Sequence, residues 1–188
     1  MAMNAARVGQ PMPCGNEGAG TVVAAGSSPV AQAMLGATVS GVSGSMYASH
    51  TKLSHVMCIP VPGGIAAADA ASSFVNPLTA LGMTETMRLE GHSAIVHTAA
   101  ASNLGQMLNR LCQADGIPLV NVVRRNEQAD LLRAAGAEHV VVSSADSFAD
   151  DLTVAITATG ATLAFDAIGG GEQVDTLRVL SDMKVSHE

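Results

Sequence analysis

The sequence predicts an α/β protein: an incomplete, doubly wound parallel sheet preceded by a partial and irregular β domain. Three observations carry this reading. From residue 66 onward, helical and strand patterns alternate with short turns between them. The strand patterns there are apolar along their whole length, as in a parallel sheet covered on both faces. Before residue 66 the pattern differs, with short β-favouring runs separated by turn residues. The division falls at residues 1–66 and 67–188.

In the first part the β runs are GTVVAAG (20–26), ATVSGVSG (37–44) and HVMCIPVP (55–62). Pro60 and Pro62 each remove a ladder donor, so the last run belongs at a sheet edge or leaves the sheet there. These runs are too short and too rich in small residues to close a core alone. Residues 66–89 read as helical with Pro77 interrupting. Proline suits the first turn of a helix, so two helices are expected to meet near Asn76, with Asn76 as a cap. SAIVHT (93–98) is a buried strand, and NLGQMLNRLCQADG (103–116) a helix with Leu104, Leu108 and Leu111 on one face and Gly116 to end it. PLVNVV (118–123) is the next strand, and Glu127 to Ala135 a helix stopped by Gly136. HVVVSS (139–144), a helix over Asp146 to Thr157 and ATLAFDAIGG (161–170) continue the alternation. Residues 172 to about 183 begin another helix. A complete sheet of this kind needs further strands after Asp166, so the chain reads as the middle of something longer.

Composition excludes several classes of function. Of 188 residues, 48% are hydrophobic and 13% charged, enough apolar surface for a core and too little charge for disorder. Nine basic against sixteen acidic residues give a net charge of −7, the wrong sign for a polyanion partner. With one Tyr, three Phe and no Trp, there is no stacking platform for single-stranded nucleic acid. Cys14, Cys58 and Cys112 form no CxxC or Cys/His cluster, so no disulfide framework or structural zinc site is indicated. They read as three small buried thiols in a reducing compartment. No formal charge occurs between Glu17 and Lys52, but glycines, serines and Pro29 break that stretch below membrane-span length. A soluble cytoplasmic protein with no membrane partner is expected.

The informative stretch is HTAAASNLGQML, which follows a strand and opens a helix. A dinucleotide's pyrophosphate needs a sharp turn there, close backbone approach and a helix N-terminus to hold its charge. Small residues at Ala99, Ala100, Ser102 and Gly105 suit this, although Ala100 and Ser102 stand where the strict fingerprint has glycines. An A-x-S-x-x-G motif is weak alone. The next strand runs into Arg124-Arg125, where an Arg pair can clamp a ribose 2′-phosphate and an acidic residue would favour the unphosphorylated cofactor. A solvated basic pair is the competing reading. Asp166 closes the fourth strand, and Gly169 to Gly171 would let the backbone pass close to a flat ring. A turn without function accounts for those residues equally well.

Five segments then carry a resemblance: GNEGAGTVVAAGS (15–27), SSFVNPLTALGM (72–83), HTAAASNLGQ (97–106), VNVVRRNEQADLLRAAGAEHVV (120–141) and AFDAIGGG (164–171). In that order and spacing they resemble the zinc-independent quinone oxidoreductase branch of the medium-chain dehydrogenase/reductase superfamily, and the related enoyl-thioester reductases. The resemblance implies a GroES-like domain joined to a Rossmann domain, with NADPH in the cleft between them. It implies cofactor contacts from Thr79, Ala100, Ala101, Ser102, Asn103, Leu104, Gly105, Arg124, Arg125, Asp166 and Ile168. Asn76 and Thr79 would lie by the nicotinamide and a conjugated carbonyl acceptor. Full-length relatives of this kind are homodimers.

Where zinc-dependent members carry His and Cys, this sequence has Asn16 and Val75, and His50, His55, His92 and His97 show no metal-ligand spacing. No metal is expected. Segments that the resemblance places before the GNEG motif and after the fourth strand are missing, so the chain reads as truncated at both ends. Three expectations compete: an NADPH-dependent reductase of quinones or enoyl thioesters, a nucleotide-binding chain with little or no turnover, and a chain that does not fold alone because its sheet ends on an open edge.

Overall fold

A computed structural model describes residues 13–168. The chain forms two compact units, Met1–Val75 and Asn76–Glu188. The predicted glycine turn at 169–171 and the helix from 172 lie outside the described residues.

The first unit holds a three-stranded antiparallel sheet in the order β1-β2-β3, with β1 Glu17–Thr21, β2 Thr38–Val42 and β3 Cys58–Pro60. The register pairs Thr21 with Thr38 and Val39 with Pro60. β3 is an edge strand, where proline's missing donor costs nothing. The first strand begins earlier than its apolar run suggests and ends at Thr21. Beyond Thr21 the chain turns toward the short helix α1 (Pro29–Ala33), and the Gln32 amide donates to the Ala25 and Gly26 carbonyls, replacing ladder bonds. Among the described residues of this unit, only Val39 and Ala70 are buried hydrophobics. Its short runs do not make a core.

The expected helix over 66–75 is absent. Ala66 accepts from the Asp69 and Ala70 amides in a single turn, and the Ser73 hydroxyl donates to the Ala70 carbonyl. The serine hydroxyl satisfies the carbonyl that a continuing helix would have used. One helix, α2 (Val75–Leu89), follows instead. Pro77 lies in its first turn as predicted, but Asn76 is inside the helix rather than its cap. The Glu17 carboxylate takes the Phe74 and Val75 amides at 3.3 and 2.7 Å.

The second unit contains β4 (Ile95–His97), β5 (Leu119–Val123), β6 (His139–Val142) and β7 (Leu163–Phe165), all parallel, in the order β6-β5-β4-β7. Helices α3 (Asn103–Asp115), α4 (Asn126–Ala134) and α5 (Phe148–Thr159) connect them. Residue parity assigns the faces. Val96, Val120, Val122 and Val141 pack with Leu152 and Ile156 of α5. Ile95 and Leu119 pack on the opposite face with Ala80 and Met87 of α2 and Leu108 and Cys112 of α3. Val123 joins Ala129 and Leu132 of α4. Helices therefore cover both faces, which is the doubly wound arrangement read from the apolar strands. Each fully buried Leu of this core contributes about 1.5–3 kcal/mol.

The thiols depart from expectation. Cys112 is buried, Cys58 is half-buried on the edge strand β3, and Cys14 is exposed ahead of β1. Burial pushes the Cys112 thiol up to about 12, so it stays protonated. A thiol-reactive chromophore should modify Cys14 and Cys58 in the native protein and Cys112 only on unfolding. Three equivalents of prompt reaction would contradict this placement.

Candidate nucleotide-binding site

The strand order reverses beside β4: the chain moves outward through β5 and β6, then returns to the other side of β4 as β7. Ligands of open α/β sheets bind outside the carboxyl ends of the strands at such a reversal. Most of the residues predicted for the site converge there, on the segments that follow β4, β5 and β7.

After β4 the chain turns through Thr98 to Ser102 into α3. Thr98 donates its amide to Phe165 of β7 at 3.1 Å, and Ala100 donates to Val122 of β5 at 3.1 Å. Between them Ala99 adopts φ +52°, the left-handed region. For a residue with a Cβ this costs on the order of 1 kcal/mol, and such strain concentrates at functional sites. Ser102 caps α3, its hydroxyl accepting from the Gly105 amide at 3.1 Å. Gly105 is buried, and a Cβ there would stand 2.2 Å from the Ala100 carbonyl oxygen and 2.5 Å from its carbon. Only glycine lets the helix start this close to the turn. Ala100 is fully buried, Leu104 half-buried, and Ser102 and Asn103 exposed. A thirteen-residue helix thus presents its positive end at the reversal point.

Arg124 and Arg125 follow β5 directly, and both are exposed. The Gln128 side-chain oxygen accepts from both their amides, at 3.2 and 3.1 Å, which fixes the bend from β5 into α4. Asp166, half-buried after β7, accepts from the Thr98 hydroxyl at 2.6 Å and from the Ile168 amide at 3.2 Å. Ile168 is itself exposed. Sequence reasoning missed Thr98, which is 3% exposed and carries no motif signal. Asn76 and Thr79 stand apart from this group, one turn from each other and half-buried at the start of α2. Ala80, next to Thr79, enters the core with Ile95 and Leu108.

The residues present suit a phosphorylated dinucleotide. The tight contact at Gly105 and Ala100 forms the close turn a pyrophosphate needs, and two exposed guanidiniums follow the neighbouring strand. A cavity of about 440 Å³ lies at the opposite end of this sheet, lined by Asn109, Gly116, Leu119, Gly136 and His139 among others. Three helices end there, at Asp115, Ala134 and Thr159. Their carbonyl ends and Glu138 disfavour an anion. Among the described residues no group of three or more His, Cys, Asp or Glu could hold a metal, and no helix is long and apolar enough to cross a membrane.

Comparison with known proteins bears on this site. The chain is 28% identical over 173 residues to human mitochondrial enoyl-[acyl-carrier-protein] reductase, covering 89% of this chain and 46% of the relative. It is 28% identical over 164 residues to Pseudomonas aeruginosa quinone oxidoreductase, covering 86% of this chain and 50% of that protein. Its relatives are quinone oxidoreductases and enoyl reductases. Among solved structures, a candidate NADPH:quinone reductase from Mesorhizobium loti superposes with a TM-score of 0.80 at 32% identity, covering 88% of this chain and 49% of that one. These oxidoreductases of the medium-chain dehydrogenase/reductase superfamily combine GroES-like and Rossmann domains, so the fold class expected from the sequence is the one found. No family profile matches the chain. The chain spans about half the length of the oxidoreductases it matches.

Proposed function

We propose that this protein is an NADPH-dependent, zinc-independent reductase of quinones or other conjugated carbonyls. The observation that carries the reading is the pairing of a Ser102-capped, Gly105-packed helix start with two guanidiniums on the adjacent strand end. Ala101, Ser102 and Gly105 would hold the pyrophosphate, with Ala100, Asn103 and Leu104 as further cofactor contacts. Arg124 and Arg125 would bind the 2′-phosphate by charge-assisted hydrogen bonds. Asp166 and Ile168 lie on the nicotinamide side, and Asn76 and Thr79 are assigned to the nicotinamide and the acceptor carbonyl. When bound, NADPH supplies the hydride that reduces the conjugated acceptor. Zinc is left out because Asn16 and Val75 stand where zinc-dependent members have ligands. The enoyl reductase relatives favour an enoyl thioester as the alternative acceptor.

Fluorescence titration of NADPH and NADH tests the cofactor assignment. NADPH should bind more tightly, and Arg124→Ala with Arg125→Ala should weaken NADPH about tenfold or more while sparing NADH, as expected for lost hydrogen bonds to a charged group. Equal affinity for the two cofactors in the parent chain would overturn it. Quinone and enoyl-thioester turnover then separates the acceptors, and binding without turnover of either marks a nucleotide-binding chain.

A further inference from the structure

Thr98 and Asp166 form a cross-strand clasp at the point where the strand order reverses. The Thr98 hydroxyl donates to Asp166 Oδ1 at 2.6 Å and accepts from the Ala167 amide at 2.9 Å. The Thr98 amide donates to Phe165. Thr98 thus ties the end of β4 to Phe165, the last residue of β7, through its amide and to the two residues after it through its hydroxyl, and the same Asp166 oxygen closes the turn onto the Ile168 amide. Next along the chain is Ala99, held in the left-handed region between Thr98, bonded to β7, and Ala100, bonded to β5.

We infer that Thr98, acting through Asp166, is a positioning residue for the nicotinamide half of the cofactor, because its clasp sets the spacing between the turn after β4 and the turn after β7. The inference rests on the NADPH reading above. Three features support it. Thr98 is 3% exposed, so it acts on a ligand through the residues it ties rather than by contact. Its hydroxyl is used in both directions, so removing it costs both the bond to the Asp166 carboxylate and the bond from the Ala167 amide. The clasp joins β4 to β7, whereas Arg124 and Arg125 follow β5 on the other side of β4. The two halves of a dinucleotide therefore depend on different strand pairs, and damage to the clasp should fall on one half only.

The test compares wild type, Thr98→Val and Thr98→Ser for binding of NADPH and of 2′,5′-ADP, which carries the adenosine phosphates without the nicotinamide. Thr98→Val should weaken NADPH about tenfold and leave 2′,5′-ADP within twofold, and Thr98→Ser, which keeps the hydroxyl, should restore NADPH binding. Unchanged NADPH affinity in Thr98→Val overturns the positioning role, as does equal weakening of both ligands, which marks a purely structural residue. Should Thr98→Val not fold, Asp166→Asn keeps the shape and weakens the charge-assisted bond; it should lower NADPH affinity with 2′,5′-ADP retained, and equal loss of both would overturn the inference. Failure of wild type to bind NADPH refutes the cofactor reading itself and is distinguished by the parent chain alone.

Discussion

Replacing Gly105 with alanine is expected to destabilise the second unit by on the order of 3 kcal/mol, near the upper end of overpacking costs, and to remove NADPH binding. The reason is steric and local. The added Cβ would lie 2.2 to 2.6 Å from three backbone atoms of Ala100, and a backbone held by its own bond to Val122 cannot rotate aside as a side chain could. Helix propensity works in the opposite direction, since alanine outranks glycine by about 1 kcal/mol in a helix interior. Gly82 supplies the control: it is exposed within α2, and a Cβ there would meet nothing within 4 Å. Gly82→Ala should raise stability by about 0.5–1 kcal/mol. Urea denaturation of both variants gives the sign directly. A neutral or stabilising Gly105→Ala would mean that α3 does not start against the turn as described.

Stability should also fall in mild acid because of His97. This histidine ends β4, is fully buried, and neither ring nitrogen makes a hydrogen bond of ordinary geometry within the described residues. Burial pushes its imidazole below the ordinary histidine value, opposed only in part by the Phe165 carbonyl and the Asp166 carboxylate. The sign follows from proton counting. Below about pH 6.5 the unfolded chain binds a proton at this position that the folded chain does not. His97 therefore leaves stability untouched above that pH and lowers it by up to about 1.4 kcal/mol per unit as pH falls toward the folded value. Urea melts at several pH values, in wild type and His97→Leu, check this. The difference between the two should grow on the acid side, and parallel curves would contradict the placement of His97.

The alternation of helix and strand after residue 75 was legible because the strands there are continuously apolar and the helix ends are marked by Gly116, Gly136 and Gly160, all at positive φ. The start of α3 was legible because serine is a preferred N-cap residue, and Ser102 caps it. The stretch over 66–75 differs from expectation because alanine-rich composition favours a helix in the abstract, whereas the Ser73 hydroxyl takes the Ala70 carbonyl that a helix would have used. The cysteines were misread because a thiol carries no signal for depth. Burial of Cys112 and exposure of Cys14 depend on which strand or helix each one lands beside. Thr98 was invisible for a related reason, since its partners Asp166 and Ala167 are distant in sequence and meet it only when β7 pairs with β4.

The sequence by itself determined the α/β class, the strand-turn-helix around residues 97–106 and the arginine pair that closes β5, because each depends on neighbours within one or two turns of chain. The tertiary structure alone decided that β7 returns to the far side of β4 and that a buried threonine joins two strand ends. Those are contacts across the sheet, fixed by the order in which strands pair.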